Sequence, residues 1–543
     1  MSDTTFDYVI AGGGSAGCVL ANRLSADPSI TVCLVEAGPR DRHWQIKFPT
    51  GVAAAINHPE INWRYKSVSQ PGLGDRPFMI PRGRVLGGSS SINGMVYFRG
   101  HPGDFDDWGK VAPGWSYRDT LPYFKRSEDN GFYNDSPYHG VGGEMHVANP
   151  PRANPLVHSF LDATKVLDLR QCPDFNGADP EGFGLRQATI RRGRRESMAT
   201  AFLHPVAQRL NLTVLTDTLV DRVTFDGKKA TGLAVEREGV KHVLRARREV
   251  ILSAGAYGSP AILLRSGVGD AASLRQLGID VVHDLPEVGQ GLRDHSSAAI
   301  QVRTNDYTSY GVSARAMPRN IWNLIEYALA RKGPIGGNVF EATGFLRSPT
   351  AAGRPDLQLV FMPAHRNANG FPLPLGHGYG ILSIAARPKS FGKVSLASPN
   401  PHDAPLIDPD FLGHPDDIVV IRNGLKLARK LLASKHFSRY RSWEILPGQD
   451  VETDAQWDDY IRRTAVTVHH PGCSCRMGSD AQAVVDPELR VRGVQGVRIA
   501  DASVFPTLIA GNTNAAVVMI AEKAADMILG RPAPAPEDLP HAP

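Results

Sequence analysis

The sequence has few cysteines and no apolar stretch long enough to span a bilayer. Its five cysteines in 543 residues are an odd number, which argues against a secreted framework of disulfides. The first residues lack the basic and apolar regions of a secretory signal. We therefore expect a cytoplasmic protein without a transmembrane helix. Peripheral contact with the inner membrane needs no spanning helix and stays open.

Charge of one sign is not in large excess either. Lys and Arg number 60 and Asp and Glu number 55, which gives a net charge of +5. The basic run at 191–195 is short and has no interleaved aromatic residues, so nucleic acid is not expected as a partner. We interpret this run as a solvated loop. Apolar residues make up 42% of the chain, a composition typical of globular domains.

A glycine-rich turn joins the first predicted strand to the first predicted helix. Residues 6–11 have the apolar character of a buried strand, and residues 18–24 favour a helix. Between them, Gly12, Gly14 and Gly17 fit the spacing G-x-G-x-x-G. These glycines permit a tight turn, a close backbone approach to a pyrophosphate, and packing of the helix on the strand. The helix N-terminus would face the anion, which predicts a dinucleotide site.

The second predicted strand ends in an acidic residue. Glu36 follows residues 31–35 and lies 19 residues after Gly17, where a carboxylate accepts hydrogen bonds from ribose hydroxyls and would repel a 2′-phosphate. The β-α-β order indicates a parallel sheet. Ser15 and Ala16, at the start of the helix, are assigned to the same cofactor site.

The same turn also fits a different motif. Gly13, Ser15 and Gly17 match the G-x-S-x-G nucleophile elbow of α/β-hydrolases. The alternative is therefore an acyl hydrolase with Ser15 as nucleophile and a distant histidine. Only one strand precedes Ser15, whereas the elbow needs an oxyanion-hole loop from an earlier strand. The hydrolase thus stays the weaker interpretation.

Four further motifs resemble those of the glucose–methanol–choline (GMC) oxidoreductases, which are FAD enzymes. With the N-terminal turn they follow the family's order and cover about residues 6–527. The likeness extends to the choline dehydrogenase branch and to bacterial FAD-dependent alcohol dehydrogenases. The motifs are residues 83–98 (GRVLGGSSSINGMVYF), 255–269 (GAYGSPAILLRSGVG), 470–478 (HPGCSCRMG) and 501–515 (DASVFPTLIAGNTNA).

The resemblance implies an α/β fold with a Rossmann-like FAD-binding domain, built on a parallel sheet, and an α+β substrate-binding domain. The Pro- and Ala-rich end of the chain, 531–543, is predicted to be disordered. The expected domain ranges are 1–155, 205–305 and 480–530 for FAD, and 156–204 and 306–479 for the substrate.

The resemblance also implies which further residues bind FAD. Some members attach the cofactor covalently through a histidine at the position of Ile92, and isoleucine cannot form that bond. We therefore predict non-covalent FAD. The implied residues are Gly87 and Gly88, Asn93, Gly94, Met95 and Val96 along the flavin, Val220 at the adenine, Asp501 and Ala502 near the phosphate and ribityl groups, and Asn512 and Thr513.

Alcohol oxidation requires a base for the hydroxyl proton, and histidine suits that task near neutral pH. The resemblance gives this role to His470, and it gives Asn512 the role of positioning the substrate oxygen. His469, His470, Cys473 and Cys475 lie within seven residues, whereas zinc ligands come in more widely separated pairs. No metal site is therefore predicted, and the two cysteines are interpreted as buried thiols.

Phe340 and Glu341 are the substrate candidates, together with His469. A carboxylate beside an aromatic ring suits a quaternary ammonium group, so choline is one alternative, and the Glu341→Gln change would then impair choline oxidation selectively. His469 stands where choline-type members often have Tyr, which favours other primary alcohols. The electron acceptor is a quinone, another carrier or O2. A non-redox FAD lyase is the more distant alternative.

Overall fold

Two seven-stranded sheets organise the chain. The computed structural model describes residues 4–150, 152–365 and 375–542. Residues 1–3 and Pro543, at the ends of the predicted ranges, lie outside the described residues. The strands of the two sheets are, in chain order, β1 (Thr4–Ala11), β2 (Val32–Val35), β3 (Gly182–Leu185), β4 (Leu212–Leu215), β5 (Thr218–Asp226), β6 (Lys229–Arg237), β7 (Val240–Leu252), β8 (Ser296–Thr304), β9 (Ala342–Leu346), β10 (Leu357–Met362), β11 (His377–Ala385), β12 (Trp443–Leu446), β13 (Val466–Thr467) and β14 (Val497–Ile499).

Helices such as Ser15–Leu24, Gly255–Arg265 and Pro415–Leu432 pack on these sheets, and the described part of the chain forms twelve α-helices in all. In chain order they are α1 (Ser15–Leu24), α2 (Trp44–Lys47), α3 (Val52–Ala55), α4 (Pro102–Val111), α5 (Tyr117–Ser127), α6 (Pro155–Val166), α7 (Gly255–Arg265), α8 (Ala271–Gln276), α9 (Met317–Ala330), α10 (Pro415–Leu432), α11 (Asp454–Thr464) and α12 (Asn514–Leu529). Shorter strands pair outside the two sheets, at Tyr65–Lys66 with Met79–Ile80, Val96–Tyr97 with Gln187–Ala188, Glu128–Asn130 with Met145–Val147, Ile190–Arg191 with Arg194–Arg195, Val268–Gly269 with His283–Asp284, and Gly392–Ser395 with both Gln290–Leu292 and Leu406–Asp408.

The first sheet has the order β4-β2-β1-β7-β6-β5, and β14 pairs with β7. The predicted parallel pairing is present, because β1 runs parallel to both β2 and β7. The sheet is nevertheless mixed, since β5, β6 and β7 pair antiparallel. The side chains of β2 are buried throughout, as expected for a strand covered on both faces.

The second sheet is antiparallel and has the order β12-β8-β11-β10-β9-β3, with β13 beside β8. Helix α10 packs against β11. Strand β8 belongs to this sheet, although the range 205–305 was assigned to the FAD domain. Cys473 and Met477 pack in the core of the first sheet, although 306–479 was assigned to the substrate domain. The cores of the two sheets contain the same apolar residue types, so composition does not show where the chain passes from one sheet to the other.

The C-terminal tail differs from the prediction of disorder. Residues 531–542 form no helix or strand, but they lie against α4 and α5. The amide of Glu537 donates to the carbonyl of Arg118, and its carboxylate lies 2.6 Å from Lys125 Nζ. His541 Nε2 lies 2.7 Å from a carboxylate oxygen of Asp106. Composition predicted the missing regular structure but not these partners.

Glu522 joins α12 to two other helices from a fully buried position. Its carboxylate lies 2.7 Å from Arg23 of α1 and 3.0 Å from Arg126 of α5. We expect Glu522→Ala to destabilise the protein by about 1–3 kcal/mol, because Arg23 and Arg126 lose a buried partner and retain only Glu144 and Asp526, respectively. A fall of several degrees in the thermal melting temperature of the holoprotein would measure this.

The matched control is Asp538→Ala, which removes an ion pair with Arg118 in which both side chains are largely exposed. That change should leave the melting temperature nearly unaltered. Equal effects of the two substitutions would contradict the role given to Glu522.

Candidate functional site

A cavity of about 1000 Å³ extends between the two sheets. Most of the predicted site residues line this cavity, whereas Gly17, Gly87 and Glu341 do not. The predicted residues that line it are Gly12, Gly14, Ser15, Ala16, Glu36, Gly88, Asn93, Gly94, Met95, Val96, Val220, Phe340, His469, His470, Asp501, Ala502, Asn512 and Thr513.

The glycine turn after β1 is closely packed except at one position. A Cβ on Gly17 would lie 1.9 Å from the carbonyl oxygen of Gly12, and a Cβ on Gly88 would lie 2.7 Å from the Cα of Gly14. Gly87, which has a positive φ of 84°, makes the turn that brings Gly88 there. A Cβ on Gly14 itself would meet nothing closer than 3.8 Å. Gly14 therefore keeps open space that the other glycines do not have.

Three helix N-termini meet the cavity next to this turn. Ser15 begins α1, Asn514 begins α12 and Gly255 begins α7, and all three residues line the cavity. Unpaired amides and the helix dipole make such positions suitable for a pyrophosphate. The hydroxyl of Ser15 donates to Asn514 Oδ1 at 2.7 Å. Ser15 is thus paired with an amide and not with the histidine that a hydrolase needs.

Two buried carboxylates, those of Glu36 and Asp501, lie at the end of the cavity next to the glycine turn. Glu36 accepts hydrogen bonds from the amides of Gly13 and Gly38, each at 2.9 Å, and burial raises its pKa to about 7. Asp501 accepts from the Gly255 amide at 2.8 Å and from the hydroxyl and amide of Ser503. Glu36 remains in the wall, where ribose hydroxyls can donate to it, while Asp501 fixes the start of α7.

The opposite end of the cavity contains a line of polar side chains. Arg186 donates to Asn512 Oδ1 at 2.8 Å. Asn512 Nδ2 lies 2.9 Å from His470 Nε2, and His470 Nδ1 lies 3.1 Å from Nδ1 of His295. Arg186 and His295 are absent from the residues predicted from the sequence, because no local pattern distinguishes them from other Arg and His residues.

This line determines which nitrogen of His470 carries the proton. Arginine can only donate, so the atom of Asn512 that faces Arg186 is the oxygen. The amide NH2 therefore faces His470 Nε2, which must be an acceptor. The proton of the neutral ring then lies on Nδ1 and is donated to His295. The lone pair of Nε2 is thereby fixed as the acceptor, and in this structure it receives the hydrogen bond of the Asn512 amide.

Burial keeps His470 neutral. Loss of water around the ring lowers the pKa of His470 well below 6.5, and the nearby His295, His469, Arg82 and Arg186 add to this effect. The backbone holds the ring as well, because the His470 amide donates to Asp294 at 2.8 Å. A neutral, fixed imidazole is suited to accept a proton.

One part of the cavity wall is apolar, beside polar lining residues such as Gln301 and Gln358. Phe340 lies against the backbone of Gly94, since a Cβ on Gly94 would be 2.8 Å from the phenyl ring. Glu341, by contrast, is absent from the wall. Its carboxylate accepts from the Asn154 amide at 2.8 Å and from the Tyr310 hydroxyl at 2.7 Å. The remaining apolar residues of this wall are Val360, Met362, Leu382, Ile384 and Val468.

Comparison with known proteins identifies the family. Models of the GMC oxidoreductase N- and C-terminal regions match residues 6–297 and 388–521. The chain belongs to the GMC oxidoreductase family. It is 43% identical to an alcohol dehydrogenase [acceptor] of Pseudomonas putida, with 96% of each chain covered. It is 40% identical to human mitochondrial choline dehydrogenase, over 98% of this chain and 91% of the relative.

A solved GMC structure gives the same result for the fold. Aspergillus oryzae formate oxidase, in a study of its FAD modification, superposes with a TM-score of 0.91 at 27% identity and covers 98% of this chain and 99% of that chain. FAD is therefore the cofactor of this protein. The cavity fits it, because the free space at Gly14, the three helix N-termini and Glu36 lie at one end, and Asn93 to Val96 line the same cavity.

The loop at Asn93 of this GMC protein is supported by an arginine that is predicted from the sequence to be solvated. Arg195 is buried. Its NH1 donates to both the carbonyl and the side-chain oxygen of Asn93, at 2.6 and 2.9 Å, and its Nε donates to Ile46. The predicted solvated loop is thus wrong for Arg195. Arg192 and Arg194 are exposed.

The cysteines beside His470 have the character of thiols. Cys473 and Cys475 are both buried, and burial raises the pKa of Cys473 to about 12. A neutral thiol is a poor metal ligand.

Elsewhere, ligand atoms of His43, His58 and Glu60 lie within 4.8 Å of one another on the surface. His43 and Glu60 form an ion pair of 3.4 Å there.

The open space at Gly14 can be tested against the tight packing at Gly17. We expect Gly14→Ala to fold but to purify with little FAD, because the methyl group occupies space needed for the pyrophosphate. Gly17→Ala should lose both FAD and thermal stability, since its Cβ would overlap the Gly12 carbonyl. FAD content after heat release and the melting temperature of the apoprotein distinguish the two effects.

Gly337→Ala is the matched control. Its Cβ would also meet nothing closer than 3.8 Å, and its φ is −110°, but it does not line the cavity. Normal FAD content in Gly14→Ala would contradict the pyrophosphate position.

Proposed function

We propose that this protein oxidises uncharged primary alcohols with apolar chains to aldehydes. The apolar cluster that lines the same cavity as His470 and Asn512 is the observation that supports this substrate class. Phe340, Met362 and Ile384 offer carbon atoms to a chain, and each buried methylene contributes about 0.8 kcal/mol to binding. FAD supplies the acceptor for the hydride that leaves the carbinol carbon.

The polar line gives each residue a separate task. His470 Nε2 accepts the hydroxyl proton, and the Asn512 amide donates to the substrate oxygen. Arg186 keeps the Asn512 amide turned towards that oxygen. His295 holds Nδ1–H of His470, so that Nε2 stays the basic atom. His470 and Asn512 are the catalytic residues in this scheme, and Arg186 and His295 are positioning residues.

Choline is the second candidate, because relatives about 40% identical to this chain are choline dehydrogenases. The position of Glu341 makes it the weaker one. The carboxylate is turned towards Tyr310 and Asn154 and does not line the cavity, so a quaternary ammonium group would lack a direct charge partner. His469 adds a polar group in place of a further aromatic ring.

The electron acceptor and the cellular location are further parts of the proposal. The P. putida relative is named for an unspecified acceptor, and we propose a quinone, another carrier or O2. None of the helices in the described part of the chain is long and apolar enough to cross a membrane. All five cysteines are free thiols, and on that ground we propose a reducing, cytoplasmic location, with peripheral association with the inner membrane.

His470 can be tested by removal. We expect His470→Ala to keep bound FAD and to lower the rate of flavin reduction by alcohol about 10²–10⁴-fold, the usual effect of losing a general base. Higher pH should restore part of the rate, because the alcohol then ionises without help. Asn512→Ala should lose less, roughly 2–4 kcal/mol at most. Anaerobic rapid mixing measures both rates.

Two comparisons keep this test specific. His469→Ala is the neighbouring control and should lose less than His470→Ala. His295→Ala should slow flavin reduction in the parent but have no further effect in the His470→Ala background, because it acts through that ring. A parent-like rate in His470→Ala with FAD bound would show that the base is another residue, and His469 would be the next candidate.

The apolar wall predicts a dependence on chain length. In a series of primary n-alkanols, kcat/KM should rise by up to about fourfold per methylene until the wall is covered. Choline should be a poorer substrate than uncharged alcohols of similar size. Steady-state kinetics with an artificial electron acceptor measures both trends.

Glu341→Gln separates the two substrate classes. Since the carboxylate faces Tyr310, the substitution should affect choline and an uncharged alcohol by similar factors. A loss confined to choline would support the cation site predicted from sequence and contradict our substrate assignment.

A further inference from the structure

Helix α9 turns its apolar face towards solvent. Trp322 is 63% exposed and Leu329 is 84% exposed. A helix on the surface of a globular protein normally buries such a face against the core. Contiguous exposed apolar surface of this kind marks an interaction site. The large apolar residues of α9 that are exposed are Met317, Ile321, Trp322, Leu324, Ile325 and Leu329.

The inner face of α9 attaches to the protein through polar groups. Arg319 donates to the carbonyl of Ser309 at 3.1 Å, and Asn320 donates to the carbonyl of Gly311 at 3.0 Å. The Tyr327 hydroxyl donates to the Gly193 carbonyl at 3.0 Å. The helix is therefore held in this orientation, and its apolar face is not exposed through loose packing.

Basic residues surround the C-terminal end of this face. The Tyr327 contact places the turn at Gly193 beside the helix, and Arg192 and Arg194 on either side of that turn are exposed. Arg331 and Lys332, directly after α9, are also exposed. Arg195 of the basic run contacts Asn93, whereas Arg192 and Arg194 of the same run lie beside α9.

Acidic residues do not offset this charge on the helix itself. All residues of α9 are described, and Glu326 is its only acid. Glu326 is half-buried and lies 3.4 Å from Arg152. At the N-terminal end, Arg315 is exposed. The outward face of α9 is therefore apolar between cationic ends.

A second tryptophan lies close to the same surface. Trp44 is 60% exposed and makes an edge contact with Phe48, whose ring lies 5.2 Å from that of Tyr327. Tryptophan is favoured at the boundary between lipid headgroups and acyl chains. An apolar helix face with aromatic residues and Lys or Arg nearby is typical of an interfacial membrane helix.

We propose that α9, Trp44 and the Arg192–Arg194 turn form a docking surface for a bilayer that contains anionic lipid. Charge decides between this occupant and a second copy of the chain. In a symmetric dimer the same cationic ends would face one another, whereas anionic headgroups would neutralise them. This inference does not depend on which alcohol the enzyme oxidises.

The proposed surface lies next to the cavity. Tyr310, which lines the cavity, directly precedes the carbonyl that holds Asn320. Thr50, also in the lining, follows Phe48 in the chain. A bilayer on this surface would therefore meet the protein beside the alcohol site, where dissolved apolar alcohols would be concentrated.

Vesicle co-sedimentation of the FAD-loaded protein tests the proposal. We expect binding to vesicles of phosphatidylcholine with phosphatidylglycerol, much weaker binding to phosphatidylcholine alone, and release by high salt. Trp322→Glu with Leu329→Glu should abolish binding. Arg192→Glu with Arg194→Glu should weaken it at least about tenfold, because each basic residue at an anionic surface contributes about fivefold to the affinity.

Matched controls lie away from the surface. Leu210→Glu changes a fully exposed leucine, and Lys229→Glu with Lys241→Glu reverses two exposed charges on the first sheet. These variants should bind vesicles like the parent. All variants should retain FAD absorbance and alcohol oxidation with a water-soluble acceptor, which separates a docking defect from misfolding or from a wrong enzymatic assignment.

Three outcomes would overturn the proposal. They are no binding to anionic vesicles, equal binding to neutral and anionic vesicles, and equal losses in the control variants. A dimer in analytical ultracentrifugation that Leu329→Glu dissociates, together with no vesicle binding, would show that the face pairs with a second copy.

Discussion

The catalytic end of the cavity depends on one buried cation. Arg186 is enclosed by protein, and burial lowers its pKa to about 9, so that it still carries its charge at neutral pH. Because guanidinium groups only donate, its bond to Asn512 fixes the amide, and the amide in turn fixes the acceptor nitrogen of His470. In the proposed reaction, the direction of proton transfer is thus set by a residue that need not touch the substrate.

Two different kinds of recognition meet in the same cavity. Backbone amides at three helix N-termini, with Glu36, form the end that suits a charged dinucleotide, and this end needs glycine because the chain itself must come close. At the other end, Phe340 and side chains of the second sheet such as Met362 present an apolar surface beside the polar line. Gly94 lies at the boundary, since its missing side chain leaves room for the ring of Phe340.

Helix α9 is an exception to the usual relation between pattern and burial. Its amphipathic pattern predicts a helix, but an apolar face is normally assigned to the core. Here Arg319, Asn320 and Tyr327 satisfy carbonyls of neighbouring loops, so the polar face packs inwards and the apolar face is left outside. These hydrogen bonds to loop carbonyls stabilise this orientation.

The sequence alone determined the features that depend on local spacing. Gly12, Gly14 and Gly17 have to follow a strand and precede a helix, and Glu36 has to end the next strand, so the nucleotide end of the site was readable. The family motifs likewise located His470 and Asn512.

The surroundings of these residues depend on the tertiary structure. Arg186 and His295 come from distant segments, and Glu341 turns to Tyr310 because that hydroxyl and the Asn154 amide compensate its buried charge. Arg195, read as solvated, is buried because the carbonyl of Asn93 lies within its reach. Such partners follow from how segments meet in space, which residue order along the chain does not encode locally.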